Sequence, residues 1–512
     1  MNYLSTRTTS VKLKSAEAIV SGLSSDGGLF IPEVFPQVTP EQISDMSNQT
    51  YSERAAFIMS LYLCDYTKDE IEKFTKATYN SKKENGFDAP EIAPLHQQND
   101  TTYFLELWHG PTGAFKDMAL QVMPHLLTTA LKKTGEKRTA CILVATSGDT
   151  GKAALDGFCD IDGLKIMVFY PQNGVSPAQK LQMTSQEGNN VNVVAVEGNF
   201  DDSQTGVKEI FKDSNFSNQL NKIGYFLSSA NSINWGRLVP QIAYYFSAYA
   251  DLLKNGKIKT GEKVNFCVPT GNFGNILAAY YAEKMGLPVN KLICASNRND
   301  VLTQFINTGI YNKNRPFYTT VSPSMDILVS SNLERLLFEL SGKDGSVVTS
   351  YMKSLSETGT YSIGDNVKKE LERVFASGFC TEEETFNTIN NVYKNSGYLI
   401  DTHTAVAYKV LSDYRKSSND KTVSVIVSTA SPFKFSHAVL KALEVPAGDK
   451  KAEAEFDNNN KDDVHLIEKL SQKTGVDIPK SLKGLDKKTS RFNETATVDK
   501  MKDSVLRFIK EG

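Results

Sequence analysis

The stretch HGPTGAFKDMAL, His109 to Leu120, sets one lysine between an aromatic residue and a run with helical spacing. Pro111 and Gly113 build a tight turn, Phe115 and Met118 offer apolar walls, and Ala119, Met123, Leu126, Leu127 and Ala130 recur at helical intervals. Lys116 is therefore expected at or near a helix start. There the positive end of the helix dipole and desolvation against Phe115 both disfavour an ammonium. A neutral amine is a nucleophile toward aldehydes, so the chemistry to look for is an imine with an aldehyde cofactor. The competing reading is a solvated lysine that merely opens a helix.

Such a cofactor needs anion sites, and two glycine turns offer them. The strand-like VNFCV runs into PTGNFGN, Pro269 to Asn275, and a strong helix pattern follows at once. Amides at a helix N-terminus, helped by the dipole, make Gly271, Asn272, Phe273, Gly274 and Asn275 a candidate phosphate cradle. The spacing is not the G-x-G-x-x-G of dinucleotide sites. The second turn, ATSGDTGKAAL, has the same strand, turn and helix layout. Only two residues separate Gly148 from Gly151, and Ala153 follows Lys152 where a hydroxyl would hold magnesium, so a nucleotide P-loop is excluded. Thr146, Ser147, Thr150 and the loop amides suit a carboxylate. Arg237, in SSANSINWGRLVPQ, brings a planar fork that matches phosphate. Each turn also has a plain structural reading as a strand-to-helix connection.

These residues must be positioned by the elements around them. Short apolar runs (TACILVA, LKIMVFY, VNVVAVEG, VNFCVP, KTVSVIVSTA) alternate with helical patterns, one of them near 203–220, which indicates an α/β protein with parallel sheets. NGFDAPEIAPL reads as a connection after a helical N-terminal region. The expected division is an N-terminal domain over 1–95, a larger cofactor-binding domain from 96–135 and 262–512, and a smaller α/β domain over 136–261. AGDKKAEAEFDNNNKDDV, about 447–464, reads as a mobile connection to a C-terminal helical tail.

With 512 residues, 40% of them hydrophobic, the chain can bury large cores, and a net charge of -2 gives no overall attraction to nucleic acid or membranes. Six cysteines lie far apart without a C-x-x-C pair, which suggests a reducing compartment and no zinc ribbon. No apolar run is long enough to span a bilayer and none resembles a signal peptide, so the expectation is a cytoplasmic protein.

HGPTGAFKDMAL, TSGDTG, NSINWGR, PTGNFGN and STASPFKF occur together and in this order, with YLSTR and GLSSDGGLFIPE at the start. In this the chain resembles the threonine synthases, in their longer fungal and bacterial form. The resemblance implies the tryptophan synthase β-like fold of type II pyridoxal-phosphate enzymes, with helices on both faces of the sheets in two cofactor-binding domains. It implies that Lys116 forms the Schiff base with pyridoxal phosphate, that Gly271 to Asn275 bind the cofactor phosphate, and that Thr429 faces the pyridine nitrogen, with Ser428 and Ser431 as neighbouring alternatives. A neutral hydroxyl there would leave the ring nitrogen unprotonated and restrain side reactions.

The activity implied is conversion of O-phospho-L-homoserine and water to L-threonine and phosphate, by γ-elimination and then addition of water at Cβ. Lys116 would move protons between carbons while domain closure excludes water. Arg237 is assigned to the substrate phosphate and the Thr146 to Thr150 loop, with Ser147 and Asp149, to the carboxylate; exchange of the two roles stays open. Asp149 stands where related enzymes carry an asparagine, and is expected to turn away, toward Lys152. His109 touches substrate or braces its turn, His403 is structural, and Asp201 and Asp202 make caps or loop contacts rather than a metal site. A monomer or homodimer without nucleic-acid or membrane partners is implied. The alternatives are a serine or threonine dehydratase or phospholyase on the same scaffold, or a silent relative that only binds a metabolite.

Overall fold

The structure, a computed structural model, describes residues 1–146, 148–172, 175–460 and 463–511. Two parallel sheets organise it. The larger has strand order Phe375–Phe379, Val289–Ser296, Val264–Pro269, Ser424–Ser428, Thr102–Glu106 and Leu95–Asn99. Every neighbouring pair is parallel except the last, which is antiparallel. Val264–Pro269, Ser424–Ser428 and Thr102–Glu106 are buried at every position, as strands covered on both faces must be. Their register sets Ser428 beside Glu106 and Ile426 beside Cys267, so their carboxyl ends emerge together. Lys116 follows one of these ends, the glycine turn at 270 another, and Thr429 the third.

The second sheet runs Glu494–Ala496, Val191–Val196, Leu164–Pro171, Thr139–Ala145 and Tyr225–Ser228, parallel throughout. Its strand Thr139–Ala145 leads into the second glycine turn. Ligands in open α/β sheets bind beyond the carboxyl ends of the strands, and here four such ends, three in the larger sheet and one in the second, are furnished with candidate groups. The α/β reading with parallel sheets therefore holds. The helical pattern near 203–220 forms two helices, Phe200–Lys212 and Ser214–Lys222, because Asp213 caps the second by accepting from Phe216 N at 2.9 Å. Asp202 closes a capping box with Asn199.

The N-terminal region is mostly helical, with a small antiparallel sheet of Lys12–Leu13, Tyr3–Ser5 and Phe30–Pro32. Three of its helices begin at threonines that form capping boxes, Thr39 with Gln42, Thr50 with Glu53 and Thr67 with Glu70. Tyr3 and Tyr62 lie 5.1 and 5.4 Å from the fully buried Trp235 ring, which opens the helix Trp235–Lys254. The buried Arg335 donates to the carbonyls of Phe30 at 2.8 Å and Ile233 at 2.6 Å. The N-terminal region thereby fixes the segment that presents Arg237.

Two expectations fail toward the C-terminus. The polar segment near 447–464 is not a mobile connection: Asp449 caps the helix Lys450–Asn459 by accepting from Ala452 N, and Phe456 is buried against His437. Its charges form a solvated face, while one aromatic anchors the other. The last residues leave the larger unit assigned to 262–512. Strand Glu494–Ala496 pairs with Val191–Val196, and Met501, Val505 and Ile509 of the final helix join the apolar core of the second sheet. Lys165 follows them, donating to Phe508 O at 3.1 Å. Met501→Ala is expected to cost about 2–5 kcal/mol, and chemical denaturation measures it. A loss below about 0.5 kcal/mol would show that this helix does not stabilise the second sheet.

Candidate active site

Lys116 immediately precedes the helix Asp117–Leu120. That helix is a single turn, so its dipole is short and burial becomes the main influence on the amine. Lys116 is 6% exposed, with Nζ 4.7 Å from the centroid of the Phe115 ring. Asp117, the next residue, points away and accepts from Thr112 N at 2.8 Å and Thr112 Oγ1 at 2.7 Å, which locks the turn. Burial lifts the Asp117 carboxyl to about 6 against these bonds.

Three groups surround the amine. Ser324 Oγ lies 3.2 Å and Asp149 Oδ2 3.4 Å from Nζ, and Arg237 is near enough to repel it. Burial lowers the Lys116 pKa, Arg237 and Lys434 lower it further, and Asp149 acts in opposition. Asp149 does not turn toward Lys152, which pairs instead with Asp156 at 3.3 Å. Its Oδ1 accepts from the buried Lys434 at 2.8 Å and from Gln179 Nε2 at 2.8 Å. Burial alone would raise the Asp149 carboxyl, yet Lys434, Lys116 and Gln179 together hold it well below the usual carboxylate range.

The 270 turn comes close to this amine through Ser324. A Cβ on Gly271 would lie 2.4 Å from the Ser324 carbonyl oxygen, so no larger residue fits that approach. Gly271 O accepts from Ser330 Oγ at 2.8 Å and Asn272 O accepts from Asn332 N at 3.1 Å, which pulls the carbonyls outward. Phe273 takes a left-handed φ of 62° and opens the helix Gly274–Lys284. Among the described residues, the backbone N–H groups from Gly271 to Asn275 find no acceptor. Tyr244 and Tyr245 both donate to Asn275 Oδ1, leaving the buried Asn275 Nδ2 without a partner. A run of unpaired donors beside a buried amine is a fitting cradle for an anion.

The hydroxyls near Ser428 differ in what occupies them. Ser428 Oγ accepts from Trp108 Nε1 at 3.1 Å and Thr404 Oγ1 at 3.0 Å, and Ser431 Oγ caps Phe433 N. Thr429 is bound through its carbonyl, which accepts from Phe115 N at 2.8 Å, while its hydroxyl is unengaged among the described residues.

In the second turn Thr146 Oγ1 accepts from Gly148 N and Gly151 N, both at 2.9 Å, so that hydroxyl braces the loop. Gly148 has φ +136° and a Cβ there would press on the Gln179 amide at 2.6 Å. Ser147 lies outside the described residues. Thr150 Oγ1 accepts from Arg237 at 3.3 Å, and a second Arg237 nitrogen donates to Ala230 O at 3.0 Å. Burial lowers the Arg237 pKa to about 10, and among the described residues no carboxylate pairs with it. A buried guanidinium without a counter-ion suits an incoming anion.

Both His109 and His403 are engaged by bonds within the fold. His109 bridges Asp88 at 2.6 Å and Glu106 at 2.7 Å, bracing the turn before Lys116. His403 Nε2 accepts from Ser324 N at 3.2 Å, so its Nδ1 carries the proton shared with Asp401 at 2.9 Å. Lys434, Ser324 and Gln179 were not singled out from the sequence. Lys434 falls in the STASPFKF motif, which was a usable signal; Ser324 and Gln179 lie in stretches with none.

Comparison with known proteins agrees with this geometry. Residues 2–79 match the threonine synthase N terminus, 87–429 the pyridoxal-phosphate dependent enzymes, and 404–505 the threonine synthase C-terminal region. Threonine synthase of Pseudomonas aeruginosa is 41% identical over 443 residues, covering 86% of this chain and 90% of that one. Human threonine synthase-like 1 is 43% identical over 441 residues, covering 84% of this chain, but the chain spans only 58% of that relative's length. A pyridoxal-phosphate-bound threonine synthase structure from Brucella melitensis superposes with a TM-score of 0.84 at 35% identity, covering 99% of both chains. The fold is that of the type II pyridoxal-phosphate enzymes. The chain belongs to the threonine synthase family within them.

The His109 bridge has a pH signature. Burial lowers the imidazole pKa, but Asp88 and Glu106 outweigh it and raise it to about 9. A raised histidine stabilises fully below its unfolded value near 6.5, and the contribution disappears as pH rises through about 9. Stability is therefore expected to fall by up to about 3 kcal/mol across this window. Denaturation of the parent and His109→Gln at several pH values checks this. An identical pH dependence in the two proteins would rule the contribution out.

Proposed function

We propose that the chain converts O-phospho-L-homoserine and water to L-threonine and phosphate, acting as a pyridoxal-phosphate-dependent carbon–oxygen lyase. The observation that carries this reading is a buried amine set between a cradle of amides and a buried guanidinium that, among the described residues, have no acceptor and no counter-ion. Lys116 would hold the cofactor, with the amides of Gly271 to Asn275 and Asn275 Nδ2 on its phosphate and the Thr429 hydroxyl on its ring nitrogen. When bound, the cofactor supplies an electron sink for charge developing on substrate carbon.

The residues divide the remaining work. Lys116 Nζ, its pKa lowered by burial, takes the proton from Cα and delivers or removes protons at its neighbours. Arg237 binds the departing phosphate with the donors left free by Ala230 and Thr150, and stabilises its negative charge. The amides of the Thr146 to Thr150 turn hold the substrate carboxylate, and Thr146 Oγ1 keeps them in place. The two parallel sheets form separate units around 96–135 with 262–475 and around 136–261 with the last strand and helix, and their approach expels water during elimination. Four buried thiols outside any disulfide (Cys141, Cys267, Cys294, Cys380) favour a reducing site of action such as the cytoplasm.

Steady-state assay with O-phospho-L-homoserine, scoring phosphate and threonine together, tests the proposal. Threonine and phosphate are expected in equal amounts. Lys116→Ala should lower the rate by about a thousand-fold or more and abolish the visible absorbance of the lysine-bound cofactor. Arg237→Met should lower kcat/KM by roughly thirty-fold or more. A keto acid in place of threonine would transfer the chain to the dehydratase or phospholyase reading. Substrate binding without any product would make it a silent relative.

A further inference from the structure

Lys434 pairs with one oxygen of Asp149 while Lys116 pairs with the other, and nothing in the proposed reaction uses Lys434. It is fully buried and reaches two acceptors, Asp149 Oδ1 and Thr112 O, at 2.8 and 2.9 Å. Resting on the proposed function, we propose that Lys434 is a positioning residue: with Gln179 it pins Asp149 Oδ1, so that Oδ2 stays ionised as the fixed acceptor for Lys116 Nζ.

The reason is a competition for one proton. An amine and a carboxyl enclosed together can lie as an ion pair or exchange the proton and lie neutral, and low dielectric favours the neutral pair. An Asp149 carboxylate basic enough to take the proton would compete with Lys116 for the one that the reaction moves. Two donors on Oδ1, one of them charged, make the carboxylate a poor base and leave Lys116 as the group that gains and loses the proton. The groups facing Nζ are few: Asp149, Arg237 and Lys434 carry charge, Ser324 Oγ is neutral and backed by His403, and the Phe115 ring is apolar. Asp117 is turned to Thr112. Lys434 is tied to Thr112 O, on the turn that carries Lys116, and to Asp149, which opens the helix Asp149–Phe158 of the second unit. It therefore couples the amine's own turn to its counter-ion.

The two members of the chain should act on Lys116 with the same sign. Without Lys434 (Lys434→Met) the proton can pass to Asp149, which then no longer holds the ammonium, and without the carboxylate (Asp149→Asn) no anion holds it; each should lower the pH midpoint of Lys116 by roughly one unit. The midpoint is read in the full chain freed of cofactor, by mass spectrometry of Lys116 acylated with acetic anhydride at a series of pH values. The visible absorbance of the cofactor-loaded protein against pH gives a second reading. Lys434→Arg, which keeps the charge, should restore the parent midpoint. Should Lys434→Met not fold, Lys434→Gln, which can still donate to Thr112 O, replaces it. Downward shifts in both variants support the inference even if no threonine is formed, so its outcome is separate from that of the proposed activity. An upward shift in Lys434→Met, as simple loss of repulsion would give, or a neutral Lys434 variant with the parent midpoint, would overturn it.

Discussion

The structure depends on keeping one primary amine out of water while surrounding it with charges that stop short of neutralising it. Lys116 lies beyond the carboxyl end of the strand Thr102–Glu106, and its single-turn helix leaves it little backbone field. Side chains from distant parts of the chain fill that role. Asp149 comes from the second sheet, Ser324 from the long connection after Val289–Ser296, and Lys434 from the segment after Ser424–Ser428. An isolated buried ammonium is costly, and a buried ion pair repays that only with satisfied partners. Here the carboxylate is shared, which leaves the amine both available and oriented.

Around that centre the fold follows from ordinary constraints. Parallel strands buried on both faces bring their ends into line, and the turns that leave them carry glycine where backbone meets backbone or side chain closely. The N-terminal region stabilises a part of the site it does not touch. Arg335 and Trp235 hold the segment before Arg237, so the guanidinium stands on a fixed base and needs no carboxylate to orient it.

Much of this was legible because it is local. Strand runs such as VNFCVP and SVIVS, the two glycine turns and the lysine turn each declare themselves within about ten residues, and strongly periodic segments are the ones that sequence reading handles best. Thr429 could be narrowed only to three hydroxyls, since what separates them is occupancy: Trp108 and Thr404 claim Ser428, and a local cap claims Ser431. Asp149 was misread toward Lys152 because an i,i+3 neighbour is the natural partner to consider when only the sequence is in view. Its real partners come from elsewhere, and Ser324 lies 208 positions from the lysine it contacts. The polar run near 450 was misread for a different reason: composition averages over a helix and conceals the single aromatic that seats it.

The return of the final strand and helix to the second sheet gives the backbone a third passage between the two sheet systems, in addition to those near residues 135 and 260. A pair of bodies joined by one linker can swivel freely, and two strands of chain define a hinge line. Three connections restrict the relative motion of the two sheet systems more than one or two would. On the proposed reading, the tail would guide the approach that expels water.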